Sequence, residues 1–174
     1  LATSLLFYSF GEPQYIWLLI GFCLFHYYYG RLLERTPKSK HKLLLILHLT
    51  ISFAILFYYK YFSFFLSLTN ELIGFELVWK RIVMPIGISF ITFQATSYIM
   101  DIYRGTSKSA PDLISFATYL TLFPQLIAGP IVRYETMETQ LNKRKLTYSQ
   151  FAQGIRRFII GLAKKVLIAN VLGG

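Results

Sequence analysis

The sequence contains a single cysteine, Cys23, so an intramolecular disulfide is excluded. It also has no P-loop, no GxSxG nucleophile elbow and no Cys or His residues at metal-ligand spacing. No pair of carboxylates lies within one apolar run. These absences exclude the usual sequence signatures of nucleotide hydrolases, serine hydrolases and structural zinc sites. We therefore expect neither a metal nor a resident cofactor.

Acidic residues are scarce, with 8 Asp and Glu against 18 Lys and Arg and a net charge of +10. Such an excess first indicates a nucleic-acid partner. The basic residues, however, lie between long apolar runs, as in the loops of membrane proteins, and a nucleic-acid stripe would collect on one soluble face. Hydrophobic residues make up 55% of the chain and aromatic residues 18%. We predict a protein embedded in the bilayer, with no nucleic-acid partner.

Four apolar runs predict membrane helices, since a hydrocarbon core of about 30 Å needs roughly 20 helical residues. They are residues 1–10 (the end of a longer span), 14–30, 43–61 and 82–100. Residues 31–42 carry five positive charges against Glu34 alone, which predicts a cytoplasmic loop. Residues 62–80 are expected to be amphipathic and loop-like. Pro85 and Gly87 predict a kink or a broken first turn in the fourth run.

Residues 116–132 form a shorter apolar run with helix breakers. The breakers are Pro124, Gly129 and Pro130. Both flanks are basic, through Arg104, Lys108, Arg133 and residues 143–145. Because basic flanks on both sides predict the same membrane face, we expect a re-entrant or broken-helix element. An ordinary kinked span is the alternative.

Residues 149–172 predict a final amphipathic helix on or near the cytoplasmic interface. Its cationic side chains cluster on one half of the helical wheel: Arg156, Arg157, Lys164 and Lys165. Cations in such a position meet anionic lipid. The sharper hypothesis is that they attract an anionic acyl donor such as coenzyme A.

A polar stripe runs along the helix predicted at 82–100. Gln94, Tyr98 and Asp101 share one face because their spacing is i, i+4, i+7. An amide buried in hydrocarbon needs hydrogen-bond partners. The stripe therefore either forms interhelical hydrogen bonds or lines a path for water or substrate.

Three histidines are present, and two of them, His26 and His48, fall within predicted spans. Ionisable groups in spans are functional suspects by default. Neither has an acidic partner nearby in the sequence, so we expect a hydrogen-bonded role in the interior. We expect His41 to be solvated in the basic loop.

Two stretches carry a family resemblance: MPIGISFITFQATSYIMDIYRG at 84–105 and FPQLIAGPIVRY at 123–134. They resemble the membrane-bound O-acyltransferase family, and within it the bacterial alginate O-acetyltransferase branch. The resemblance extends more weakly from Tyr8 to the end. It implies an all-α, polytopic transmembrane protein with part of a helical ring around a tunnel. Residues 1–174 would form one partial membrane domain, with both ends cut from a longer protein.

The resemblance implies an O-acyltransferase that acetylates hydroxyls of an exported cell-surface polysaccharide such as alginate. The family's catalytic histidine would fall beyond Gly174, so no catalytic residue is assigned in this chain. Candidates for the tunnel wall or donor path are Gln94, Tyr98, Asp101, Phe123, Pro124, Gln125, Gly129, Pro130 and Arg133. A non-catalytic membrane transporter or a scaffold for a partner acyltransferase is the alternative.

The resemblance also sets the expected surroundings of the protein. The location would be the bacterial cytoplasmic (inner) membrane, with several passes through it. Expected partners are the lipid bilayer, an acyl donor such as acetyl-CoA as substrate, and periplasmic or extracellular polysaccharide-modifying proteins.

Overall fold

The computed structural model describes residues 1–74, 82–126, 129–142 and 147–173. All regular structure in these ranges is helical, which confirms the predicted all-α class. The chain divides into two compact units, Leu1–Glu138 and Thr139–Gly174. Each unit is described by itself, and the single membrane domain stays a prediction.

The helices of the first unit follow one another along the chain. They are α1 (Ala2–Gly11), α2 (Ile16–Arg35), α3 (Lys38–Lys60), α4 (Phe62–Ile73), α5 (Ile88–Arg104), α6 (Leu113–Thr121) and α7 (Phe123–Leu126), and α8 (Tyr134–Asn142) begins there. The second unit contains α9 (Tyr148–Ala163), a π-helical stretch (Lys164–Ala169) and α10 (Asn170–Leu172). This helical run matches the final helix predicted at 149–172. The basic run at 143–145 lies outside the described residues.

Within the described ranges, two helices are long and apolar enough to cross a bilayer, at Pro13–Arg35 and Lys38–Lys60. They contain the runs predicted at 14–30 and 43–61, and they are longer because they include flanking charged residues. Thr36 separates them in an extended conformation (φ −83°, ψ 146°). A proline follows Thr36, and the residue before a proline is disfavoured in the helical region.

Helix α4 replaces most of the loop-like segment that the sequence predicts at 62–80, so that expectation is wrong for Phe62–Ile73. The segment FSFFLSLTNELI repeats apolar residues at helical spacing, which outweighs its Ser, Thr and Asn content. The helix ends at Gly74, which adopts a left-handed φ of +72° that glycine reaches without steric cost. Residues 75–80 lie outside the described part of the chain.

Helix α5 forms the centre of the first unit, because it packs against both α2 and α3, while α6 packs against α2 and α5. The approach to α2 is close at Gly30, where a Cβ atom would lie 2.6 Å from the Tyr98 hydroxyl oxygen. The core includes large or closely packed side chains with at most 1% exposure, among them Leu33, Ala95, Ile99, Phe116 and Leu120.

The beginning of α5 is displaced along the chain from the predicted span, which started at residue 82. The helix starts at Ile88, after Gly87 with φ +76°. A Cβ atom on Gly87 would lie 2.6 Å from the carbonyl oxygen of Leu126 in α7, so this turn requires glycine for two reasons. The predicted break near Pro85 and Gly87 is confirmed.

Two tyrosines hold the non-helical chain in front of α5. The Tyr15 hydroxyl donates to the Val83 carbonyl at 2.5 Å. The Tyr8 hydroxyl donates to the Ile86 carbonyl at 3.4 Å. These bonds satisfy carbonyls that a helix would otherwise pair, which matters because unpaired backbone groups in an apolar setting are costly.

Candidate functional site

The polar stripe of α5 faces the protein interior. Gln94 is 1% exposed, Tyr98 is 0% exposed and Asp101 is 4% exposed. The single face predicted from their spacing is therefore the one that α5 buries. The Gln94 amide nitrogen hydrogen-bonds to α6, whereas the Gln94 Oε1 and Asp101 Oδ2 atoms have no hydrogen-bond partner among the described residues. The role of the stripe therefore stays a prediction.

Tyr119 of α6 connects the stripe to the chain beyond the helix break. The Gln94 side-chain nitrogen donates to the Tyr119 carbonyl at 3.1 Å. The Tyr119 hydroxyl lies 2.9 Å from the Val132 carbonyl and 3.5 Å from the Gln94 carbonyl, and it can donate to either. One residue therefore fixes α5, α6 and the segment that leads into α8.

An aromatic cluster surrounds this connection. The Tyr98 ring lies 4.7 Å from Phe116 and 5.2 Å from Tyr134, and Tyr119 lies 5.2 Å from Tyr134, between ring centroids. The Tyr98 hydroxyl accepts the backbone N–H of Ala110 at 2.9 Å. The Tyr134 hydroxyl is buried and has no hydrogen-bond partner among the described residues. The packed rings make this face of α5 a rigid wall.

The segment after α6 is broken, as predicted. Helix α6 ends at Thr121, α7 occupies Phe123–Leu126, and residues 129–133 are not helical. Residues 127–128 lie outside the described residues. A proline lacks the N–H and clashes with the preceding turn, so Pro124 and Pro130 each oppose a continuous helix.

The predicted residues of this segment are more exposed than the polar stripe. Phe123 is 47% exposed and its ring is 5.6 Å from that of Phe7 in α1. Gln125 and Gly129 are half-buried and pack on each other: a Cβ on Gly129 would lie 2.8 Å from the Gln125 Cα. The exposed members of the set are Pro124, Pro130 and Arg133. The structure thus separates the buried stripe from an exposed rim.

A second polar cluster lies between the two long helices. His26, His48 and Ser52 are all 0% exposed, and the Ser52 hydroxyl is 3.4 Å from the Nε2 atom of each histidine. His26 Nδ1 donates to the Phe22 carbonyl at 2.8 Å, so its Nε2 can accept from Ser52 when the ring is neutral. Ser52 then accepts from His48 Nε2. The interior, hydrogen-bonded role predicted for His26 and His48 is confirmed.

Sequence reasoning missed several of these residues. The role of Ser52 could have been predicted from the sequence, since Ser52 lies four residues after His48 on the same helical face. Tyr119 and Tyr134 carry no local signal, because their partners are remote in sequence. The expectation that His41 is solvated in a loop was wrong. His41 is half-buried in the first turn of α3, and its ring Nε2 donates to the Thr36 carbonyl.

The assembled groups are phenols, an amide, a serine and two histidines, which can orient and share hydrogen bonds. In the part of the chain that the structure describes, no group of three or more His, Cys, Asp or Glu could hold a metal ion. The described residues thus form an all-helical structure with two apolar helices long enough to cross a bilayer, a buried polar stripe and a broken helix beside it.

Comparison with known proteins shows which family and which relatives the chain is similar to. The sequence model of the family described as MBOAT, membrane-bound O-acyltransferase family, matches residues 106–173. The probable alginate O-acetylase AlgI of Pseudomonas aeruginosa is 38% identical over 180 residues, covering 99% of this chain and 34% of that protein. The protein of the same name from Azotobacter vinelandii is 36% identical, covering 99% of this chain and 36% of that protein.

A third relative carries a different name. The peptidoglycan O-acetyltransferase of Helicobacter pylori is 34% identical over 202 residues, covering 97% of this chain and 37% of that protein. No solved structure matches the chain. The chain is thus similar to the membrane-bound O-acyltransferase family model over residues 106–173 and to these relatives over almost its whole length, and it spans about a third of the length of these relatives.

Proposed function

We propose that this chain is part of a bacterial O-acyltransferase that acetylates hydroxyls of an exported cell-surface polysaccharide such as alginate. One observation carries the proposal: similarity over 97–99% of the chain to proteins named alginate O-acetylase and peptidoglycan O-acetyltransferase. Both names describe O-acetylation. The whole enzyme would pass several times through the inner membrane and work with periplasmic or extracellular polysaccharide-modifying proteins.

The chain's own contribution is one wall of a tunnel, on its cytoplasmic side. Gln94 joins that wall to α6 through the Tyr119 carbonyl, Tyr98 packs in the aromatic cluster, and Asp101 is buried on the same face. The exposed or half-buried residues of the broken segment form the donor path: Phe123, Pro124, Gln125, Gly129, Pro130 and Arg133. We propose that this segment is re-entrant, with both ends on the cytoplasmic face. The Arg133 guanidinium is suited to hold an anionic group of the donor by two parallel hydrogen bonds.

The reaction requires a general base and an acyl donor such as acetyl-CoA. A histidine takes the proton of the acceptor hydroxyl, whose oxygen attacks the thioester carbonyl. The C–S bond breaks, and the departing thiolate takes up the proton. We assign the base to no residue of this chain, because His26 and His48 are both 0% exposed and so cannot contact an acceptor hydroxyl.

The direct test deletes the gene for the complete protein and measures O-acetyl groups per sugar in exopolysaccharide and in peptidoglycan separately. Loss from one polymer, restored by the wild-type gene, identifies the acceptor. A gene with Arg133→Gln should restore acetylation in the deletion strain. If membranes from that strain need a higher acetyl-CoA concentration for half-maximal acetylation than wild-type membranes do, the donor path is supported. Unchanged acetylation of both polymers in the deletion strain would contradict the proposal.

The transporter alternative has one observation in its favour. His26, Ser52 and His48 form a buried hydrogen-bonded chain between two long apolar helices, and intramembrane histidines mark proton pathways in transporters. Purified protein in detergent separates the two functions. Acetyl transfer from acetyl-CoA to a soluble oligosaccharide without sealed vesicles supports the enzyme. Substrate movement that needs sealed vesicles and yields no acetylated product supports the transporter.

A further inference from the structure

A small basic cavity lies between the beginning of α3 and the end of α5. Its volume is about 310 Å³, and it is lined by Lys38, His41, Ile102, Tyr103, Arg104 and Gly105. It belongs to neither the aromatic cluster nor the broken segment. Ligand pockets run from about 300 to 1,000 Å³, so the cavity suits a small polar group rather than a whole drug-sized molecule.

The charge of the lining has one sign. Lys38 and Arg104 are cationic, and Tyr103 adds a hydroxyl donor. The six lining residues that the structure describes include no carboxylate. The cavity is therefore chemically complementary to an anion.

Lys38 is unfavourably placed without such an anion. It is the first residue of α3, where the helix dipole is positive and anions rather than cations are stabilised. The first turn of α3 contains no acidic residue to offset it. The positive-inside rule explains why lysines lie on this face. It does not explain why one of them lines a cavity opposite an arginine from another helix.

The opposite wall is fixed in place. Gly105 ends α5 with φ +74°, and its N–H donates to the Ile102 carbonyl at 3.0 Å. Thr106 N–H donates to the Asp101 carbonyl at 3.0 Å. These bonds occupy carbonyls at the end of α5 that could otherwise compete for the Arg104 guanidinium.

His41 is also held by the backbone. Its Nε2 atom lies 2.8 Å from the Thr36 carbonyl oxygen, and because a carbonyl only accepts, Nε2 must carry the hydrogen. The ring is thus fixed in one orientation along the cavity wall. Because that N–H is used on the backbone, the ring shapes the cavity wall, and the donors left for an anion are Lys38, Arg104 and the Tyr103 hydroxyl.

We propose that this cavity binds a phosphate ester, held by Lys38 and Arg104 with His41 and Tyr103 beside them. The arginine fork matches two phosphate oxygens, while the lysine acts as a point charge. The group could belong to a soluble phosphorylated molecule such as an acyl donor, or to an anionic phospholipid headgroup. The site does not depend on acyl transfer, since binding is measured without turnover.

The test measures binding to the complete protein purified in a neutral detergent at low salt. One arm titrates adenosine 3′,5′-bisphosphate, with inorganic phosphate alongside, by calorimetry. The other arm compares nanodiscs of phosphatidylcholine alone with nanodiscs containing phosphatidylglycerol, and counts retained phosphatidylglycerol by mass spectrometry. Low salt is needed because dissolved ions weaken the attraction between exposed charges, with a screening length of about 10 Å at 0.1 M ionic strength.

Lys38→Gln and Arg104→Gln each should weaken binding by about tenfold or more, since a hydrogen bond to a charged group contributes that much. Arg104→Lys keeps the charge but loses the two parallel N–H donors of the guanidinium, so its affinity should lie between those of the wild-type protein and Arg104→Gln. The matched control is Lys42→Gln, which removes the same charge from the same helix outside the cavity lining. It should change affinity less than about twofold.

The two arms distinguish the sources of the phosphate. Variant-sensitive binding of the bisphosphate assigns the site to a soluble phosphate ester, and variant-sensitive retention of phosphatidylglycerol alone assigns it to a headgroup. Equal losses for Lys42→Gln and Lys38→Gln, or no variant dependence in either arm, would overturn the proposal. Each variant's elution profile in detergent shows that it is folded.

Discussion

Helices α5 and α9 have similar lengths and both are amphipathic, yet their environments are opposite. Nine residues of α5 are buried, and none of α9 is. In α5 the polar Gln94 and Asp101 point inward while Phe93 is 45% exposed. In α9 the apolar Phe158 and Ile159 are 69% and 58% exposed. Where lipid is the solvent, a polar face is the one that needs protein, so amphipathicity alone does not say which face packs.

The largest expected difference between the two helices comes from matched isoleucines. Ile99→Ala in α5 removes a side chain that is 0% exposed and leaves a cavity, so we expect a loss of about 2–5 kcal/mol in the free energy of unfolding. Ile159→Ala in α9 should cost little. Denaturant titration of both variants in detergent measures the difference. A comparable loss for Ile159→Ala would show that α9 packs its apolar face on protein and would remove the contrast.

Matched glycines give the next effect. Gly87→Ala at the start of α5 forces a left-handed φ on alanine and places its Cβ against the Leu126 carbonyl. We expect a destabilisation of about 1–3 kcal/mol. Gly161→Ala in α9 has nothing within 4 Å of the new Cβ and should stabilise by up to about 1 kcal/mol. Thermal midpoints of the two variants should therefore move in opposite directions, and a shared direction would contradict the close approach at Gly87.

Glutamines test whether the polar stripe is structural. Gln94→Leu deletes the donor to the Tyr119 carbonyl, and we expect a loss of about 0.5–1.5 kcal/mol. Gln153→Leu changes an exposed position in α9 and serves as the control. The same denaturant titration applies. If Gln94→Leu were neutral in stability but impaired acetylation of the polymer, the stripe would instead serve a substrate path.

The helix caps provide the smallest contrast, and it depends on pH. Asp112 caps α6 by accepting the Ser115 N–H at 2.8 Å, and this bond, followed by that of the Ser115 hydroxyl, holds the pKa of Asp112 below its usual value. A lowered pKa means that the cap stabilises fully above the unfolded-state pKa and is lost as pH falls through the folded one. Thr147 caps α9 with a hydroxyl that does not titrate in this range.

A pH series of thermal midpoints checks the cap at Asp112. Wild-type protein should lose a little stability on the acid side, and Asp112→Asn should abolish that acid dependence because asparagine caps without titrating. Thr147→Ala should lower the midpoint equally at every pH. An unchanged acid limb in Asp112→Asn would assign the acid dependence to other groups.

Much of the fold follows from the sequence. Apolar runs bounded by charge give α2 and α3, and the breakers at Pro124 and Pro130 give the interruption after α6. The i, i+4, i+7 spacing correctly places Gln94, Tyr98 and Asp101 on one buried face. These features depend on neighbours within a few turns, which is the range that periodicity reports.

Tertiary partners could not be predicted in the same way. Tyr119 meets Gln94 across 25 residues, and Ser109 donates to Glu34 across 75. Nothing in the sequence distinguishes Gly30 from other helical glycines; its role follows only from the Tyr98 side chain that packs against it. Helix α4 was missed for a local reason, since its serines and threonines resemble a loop although its apolar residues keep helical spacing. The roles of the broken segment and of Arg133 stay predictions.

The hydrogen bond from Tyr119 to Val132 joins two points 13 residues apart. This bond closes the chain between Tyr119 and Val132, which contains Pro124 and Pro130, into a loop whose two ends are held together. Tyr119→Phe would remove this closing bond, while the ring contact of Phe123 with Phe7 and the close approach of Leu126 to Gly87 would still hold the first part of the loop.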